Sequence, residues 1–187
     1  MQPLPARIET ERLVLRTWTP DDAVALANAV TESIEHLRPW MPWIGFEPVA
    51  LEDRQKLIAE WDTKWQAGED AVYGVFHDGV VVGGTGLHRR IGPRALEIGY
   101  WIHVDHIRQG FAKELSAALT DVAFDLDGID HVEIHHDKDN VASEGVPRSL
   151  GYTFVGDVAT AVAAPSESGV LCIWSMTRDD WESRAHA

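Results

Sequence analysis

The 187 residues are 45% hydrophobic and carry 30 acidic against 16 basic side chains, a formal net charge of −14. That size and apolar content suit one buried core, so a single domain over residues 1–187 is expected, and the negative balance argues against nucleic acid or an anionic membrane as partner. Cys172 is the only cysteine, which excludes an intrachain disulfide or thiolate metal cluster; with no leader-like or membrane-length apolar run, a soluble cytoplasmic protein acting on a neutral or cationic substrate is expected.

In chain order, Leu13 to Trp18 reads as a first strand, closed by Thr19-Pro20-Asp21-Asp22. Thr19 is a candidate cap, Pro20 suits the first helical position and Asp22 stands where a capping-box acid would. Val24, Ala25, Leu26 and Ala29 give the following helix its apolar face, and a second short helix is expected over Thr31 to Leu37. Arg38-Pro39-Trp40-Met41-Pro42-Trp43 cannot continue as regular helix, because two prolines remove donors and constrain the residues before them. Leu57, Ile58, Trp61 and Trp65 then recur at helical spacing within Leu51 to Trp65. Ala71 to His77 and Val80 to Leu87 flank Asp78-Gly79, a strong hairpin signal, and Ala95 to Ile102 adds a third antiparallel strand.

The next stretch, Ile107-Arg108-Gln109-Gly110-Phe111-Ala112, links that strand to a helix carrying Phe111, Leu115, Leu119, Val122, Ala123 and Leu126. The first amides of a helix are unpaired and partly positive, so they accept anions where small residues admit them to the backbone. Gly110 and Ala112 supply that access. Beyond Gly128, His131 to His136 reads as a strand, Ala142 to Leu150 as a short helix, and Tyr152 to Ala163 and Val170 to Thr177 as the last two strands. The order β-α-α-α-β-β-β-α-β-α-β-β predicts a mixed, mostly antiparallel sheet of about seven strands flanked by helices.

Four pieces of this chain resemble the GNAT superfamily of N-acetyltransferases, in particular the RimJ/RimL-like ribosomal-protein alanine acetyltransferases. They are Glu11-Arg12-Leu13-Val14-Leu15-Arg16, Leu37-Arg38-Pro39-Trp40-Met41-Pro42-Trp43, Glu97-Ile98-Gly99-Tyr100-Trp101-Ile102, and Asn140-Val141-Ala142-Ser143 with Val146 and Leu150-Gly151-Tyr152. The resemblance departs at the turn: Ile107 stands where the family usually has Gln or Arg, and Arg108 where glycine is common, while Gly110 and Ala112 match. A main-chain phosphate cradle survives such changes, because its donors are amides.

The resemblance implies a GNAT-like fold, acetyl-coenzyme A as co-substrate, no metal, and an amine acceptor that is either a protein N-terminus or a small cationic amine; homodimerisation is a family expectation. It further implies that the coenzyme lies along Ile102, Val104, Arg108, Gln109, Gly110, Phe111, Ala112 and Lys113, with Asn140 and Ser143 beside its arm. Glu97 is then the candidate to take the amine's proton, and the alternative is a strand glutamate paired to an arginine such as Arg94. Ser143 either donates to the departing sulfur or caps a helix, and Asn140 either holds the coenzyme or shapes its turn. Trp40 and Trp43 read as core or as an acceptor-binding wall, with Glu35, Glu47 and Glu52 nearby to favour a cation. Adjacent strand residues His135 and His136 face opposite ways and cannot readily share a metal, so both are taken as structural, as is Cys172. The rival to an enzyme is a catalytically silent acyl-coenzyme A sensor or interaction module.

Overall fold

Apolar alternation and tight turns generate most of the architecture seen in the computed structural model, which describes residues 4–184. The strands are β1 (Arg7–Glu9), β2 (Val14–Thr17), β3 (Ala71–His77), β4 (Val80–His88), β5 (Ala95–Ile102), β6 (His131–Asp137), β7 (Thr153–Ala159) and β8 (Val170–Thr177). The helices are α1 (Ala23–Leu37), α2 (Leu51–Gln66), α3 (Phe111–Phe124), α4 (Val141–Ser149) and α5 (Arg178–Arg184). One sheet orders its strands β1-β2-β3-β4-β5-β6-β8-β7, every neighbouring pair antiparallel except β5 with β6.

The sheet has eight strands because Arg7–Glu9 pairs with β2, although Ile8 is its only apolar residue and no alternation announces it. The two helices expected over residues 23–37 are one. Its buried stripe runs Leu26, Ala29, Val30, Ser33, Leu37, and the polar member is satisfied where the Ser33 hydroxyl accepts from the Val104 amide at 3.1 Å. The Asp78-Gly79 hairpin forms with Asp78 at φ 48° and Gly79 at φ 79°. The strand expected from Tyr152 to Ala163 ends at Ala159, and the chain after β8 turns into the short charged helix α5.

Two apolar clusters cover opposite faces of the sheet. One packs Leu96 and Ile98 of β5 against Phe111, Leu115 and Leu119 of α3. The other joins Leu26, Val30 and Leu37 of α1 to Ile58 of α2 and Ile44 in the 3-10 turn Pro42–Phe46. Because β5 side chains alternate, Ile98, Tyr100 and Ile102 face α3 while Glu97, Gly99 and Trp101 face α1 and α2.

At the entry to α1 the capping box is realised. The Thr19 amide and hydroxyl each donate to Asp22 at 2.8 Å, and the Arg16 guanidinium donates to both Asp22 oxygens at 2.7 and 2.8 Å. Arg16 leads these donors, which outweigh burial and hold the Asp22 carboxyl at about 2 rather than 3.8. A depressed carboxyl pKa stabilises the fold above the unfolded value and ceases to do so as pH falls through the folded one. Asp22→Asn is therefore expected to lower the melting temperature at pH 7, by an amount that shrinks as pH falls from 3.8 to about 2. Calorimetric melting of both proteins across that range checks it; an undiminished difference at the acid end would refute the assignment.

Candidate active site

The parallel seam between β5 and β6 is short. Ala95 pairs with His131, Leu96 with Val132, Glu97 with Glu133 and Ile98 with Ile134, after which β5 follows β4 and β6 follows β8. The strands part there, and a cavity of about 960 Å³ opens at the gap and extends over the α1 and α2 face of the sheet. Glu97, Asn140, Ser143, Trp40 and Trp43 all line it, so the residues expected to act on acceptor and thioester share one space.

The floor of the cavity is bare backbone. Gly84 and Gly86 on β4 and Gly99 on β5 share the face of Trp101 and His88. A Cβ on Gly84 would lie 2.4 Å from Trp101 Nε1, and one on Gly86 2.8 Å from His88 Nε2. Glycine is thus needed for the indole and imidazole to lie against the sheet. Trp43 meets Trp101 edge-on with ring centroids 6.2 Å apart, and both pack on the α1 and α2 cluster. Trp43 therefore serves as core and wall at once. Of the acids expected to border this wall, Glu47 lines the cavity, where its carboxylate pairs with buried Arg54 at 2.6 Å, while Glu35 and Glu52 are not among the lining.

Glu97 is 7% exposed and its partner is Arg90, whose Nε and Nη2 donate to its two oxygens at 2.7 and 2.5 Å. Arg94, the partner suggested by sequence, instead pairs with Asp130. Burial pushes the Glu97 carboxyl up, but Arg90, with His135 and His88 further off, outweighs it and leaves the group below its ordinary range. Glu97 is consequently a firm anion and a weak proton acceptor. His135 Nδ1 lies 3.7 Å from Glu97 Oε2, and its Nε2 lies 2.6 Å from Glu133. His136 points the other way, between the indole N–H of Trp174 at 2.9 Å and the Asp137 carbonyl at 2.8 Å. Of the two, His136 is the one whose ring nitrogens are both held away from the Glu97 carboxylate.

On the α3 side of the gap, the Tyr100 hydroxyl donates to the Ser143 carbonyl at 3.3 Å, and burial pushes its phenol well above the ordinary value. The residue that caps α4 is Asn140, whose side-chain oxygen accepts from the Ser143 amide at 3.2 Å. Ser143 is thereby released from the capping role and stands in the first turn, facing the cavity. Asp137, buried at the end of β6, accepts from the Asp139 amide at 2.9 Å and from Ser168, fixing the loop that presents Asn140.

The turn that sequence suggests for anion binding sits at the start of α3, outside the lining of the cavity, as do Ile102 and Val104. Gly110 takes φ 82° and immediately precedes the helix, so the amides of Phe111, Ala112 and Lys113 have no intrahelical acceptor. Arg108 takes φ 60°, a conformation that explains why a glycine is at home there. Gln109 is exposed and donates to the Asp105 carbonyl at 3.3 Å. Sequence reasoning missed Arg12, which donates to the Gln109 carbonyl at 3.0 Å, pairs with Glu114 on α3 and stacks over Phe111. It also missed Arg90, His88 and Tyr100, none of which carries a spacing signal of its own.

The family model for the acetyltransferase (GNAT) domain matches residues 12–153, and the chain belongs to that family of acetyltransferases. Among its relatives is the Bacillus subtilis (strain 168) protein named "Putative ribosomal N-acetyltransferase YdaF", 24% identical over 92% of this chain and 94% of that one. RimL, a ribosomal L7/L12 alpha-N-protein acetyltransferase solved with coenzyme A, superimposes with a TM-score of 0.83 at 22% identity, covering 96% of this chain and 99% of its own. RimJ of Mycobacterium smegmatis, solved with a coenzyme A disulfide, gives 0.83 at 19% identity over 96% and 91%. These two structures share the fold with this chain.

Proposed function

We propose that this chain moves acetyl from acetyl-coenzyme A to a primary amine by direct attack, with the α-amine of a protein N-terminus as the favoured acceptor. The observation that carries the reading is the gap between β5 and β6, with the Glu97 anion on one face and Tyr100 and Ser143 on the other. An acceptor entering over the glycine floor meets Glu97, and a thioester arriving from the α3 side meets the Ser143 hydroxyl. An α-amine suits this cleft because it loses its proton near pH 8, whereas a lysine-type amine does so only above about 10. Glu97 draws in and orients the ammonium; Ser143 stabilises charge on the departing sulfur, and Tyr100, donating to the Ser143 carbonyl, positions it. Coenzyme A supplies the activated acyl group, with its pyrophosphate on the amides of Phe111, Ala112 and Lys113. A sensor without chemistry would have no use for an anion and a hydroxyl arranged across the gap.

The test is acetyl transfer from acetyl-coenzyme A to peptides beginning with serine or alanine, run beside a panel of small cationic amines. Turnover of the peptides supports the reading, turnover of the small amines alone moves the acceptor to that class, and coenzyme binding without turnover of any amine overturns it. The turn adds a second check with opposed signs. Arg108→Gly relieves a left-handed backbone that costs a non-glycine residue about 1 kcal/mol, yet it removes a cation beside the proposed phosphates. The variant is expected to melt higher while binding coenzyme A more weakly, as read by calorimetry; stronger binding would remove Arg108 from the coenzyme site.

A further inference from the structure

His135 belongs to the cavity, and its two ring nitrogens have different neighbours. Nε2 lies 2.6 Å from a Glu133 oxygen, and toward a carboxylate a ring nitrogen donates. In the neutral ring Nδ1 therefore carries the lone pair, and it faces Glu97 Oε2 at 3.7 Å. Two acceptors thus confront one another in a space that also holds the proposed amine site. A primary ammonium, with three N–H groups, satisfies both. Glu97 cannot keep the proton that such an ammonium must lose, because the Arg90 fork on both its oxygens favours the ionised form.

We propose that His135 Nδ1 takes the acceptor amine's proton and that Glu133 positions it, while Glu97, fixed in turn by Arg90, holds the ammonium in place. This rests on the acetyl-transfer reading above and gives its general base a different residue from the carboxylate that sequence suggests. In the reaction the nitrogen lone pair forms the C–N bond, and the C–S bond breaks with its electron pair on sulfur. The nitrogen sheds two protons in all: the first passes from the ammonium to Nδ1 and on to solvent before attack, and the second leaves once the C–N bond has formed and balances the proton the thiolate takes up, so the sum is amide, free thiol and one proton released to solvent. An imidazole suits the task, since general bases work best when they titrate near the operating pH. The charged and titratable groups around His135 are Glu97 on β5, Arg90 after β4, His88 on β4 and Glu133 on its own strand, with His131 3.4 Å from the second Glu133 oxygen. From β8 it meets Ile173, which does not titrate.

The test uses His135→Gln with acetyl-coenzyme A and a serine-initiated peptide. At pH 7, kcat is expected to fall by about 10²- to 10⁴-fold with little change in coenzyme A affinity. The wild-type kcat/KM profile should show an acid limb that the variant lacks, and the variant should gain rate steadily as alkali frees the amine. Glu133→Gln should retain the limb with a smaller loss. A limb that survives in His135→Gln overturns the proposal. Nitrogen-15 NMR of the protein, alone and with coenzyme A, reads the tautomer without any acceptor. Nδ1 unprotonated supports the assignment and a protonated Nδ1 overturns it. Failure to bind coenzyme A would instead strike at the acetyl-transfer reading.

Discussion

Arg54→Met is expected to destabilise the protein by about 3–5 kcal/mol, the cost of leaving one member of a buried ion pair without its partner. Arg54 and Glu47 have side chains only 4% and 5% exposed, and Nη2 donates to Glu47 Oε1 at 2.6 Å. The second Glu47 oxygen accepts from the Val49 amide at 3.2 Å, so the carboxylate also shapes the segment entering α2. Without the guanidinium, Glu47 must either protonate or pull that segment toward water. For a chain of this size the loss corresponds to a fall in melting temperature of roughly 6–20 °C. Removing both charges together, as in Glu47→Leu with Arg54→Met, should recover most of the loss, because an apolar pair of similar volume needs no compensation. Denaturant unfolding of the three variants measures this. A single variant within 1 kcal/mol of wild type would show that the pair is not desolvated.

Glu97→Gln is expected to raise KM for a cationic acceptor about 100-fold while moving kcat far less. The substitution removes an anion facing the cavity and leaves the Arg90 charge uncancelled beside it, and unit charges about 4 Å apart are worth up to about 4 kcal/mol at an effective permittivity near 20. Loss of uniform binding appears in KM, whereas loss of a group acting only in the transition state lowers kcat and kcat/KM together. Steady-state kinetics with a charged and an uncharged acceptor separates the two. A fall in kcat at constant KM would return the proton-accepting role to Glu97. Acid should mimic the substitution, because a depressed carboxyl pKa means the anion, and its share of stability, persists at neutral pH and is lost as pH falls through the folded value.

Local signals carried the parts of this fold that sequence made legible. Asp78-Gly79 demands a hairpin, Gly110 takes the positive φ that its turn needs, and the apolar stripe of α3 reads correctly to within two residues of Phe124. What escaped depended on partners distant in sequence. The two helices expected over residues 23–37 are one, and the Ser33 within its buried stripe is satisfied only by the distant Val104 amide. Arg94 looked like the natural partner of Glu97 because it adjoins the strand, yet the loop brings Arg90 across instead. The pair His135-His136 shows the limit most clearly: alternation points them to opposite faces, yet both border the cavity that opens where β6 leaves β5. Positions of candidate residues were readable; their protonation and pairing were not.

The four-residue seam between β5 and β6 also bears on how the molecule holds together. It divides the sheet into β1 to β5 and β6 to β8, two panels stitched along one end only, each internally laddered by antiparallel bonds. A long ligand lodged in the slit would complete the stitching and add to the apolar core that already joins the panels through Ile98 and Ile134. Occupancy would then be felt along the whole C-terminal panel, so that one binding event sets the rigidity of a third of the chain.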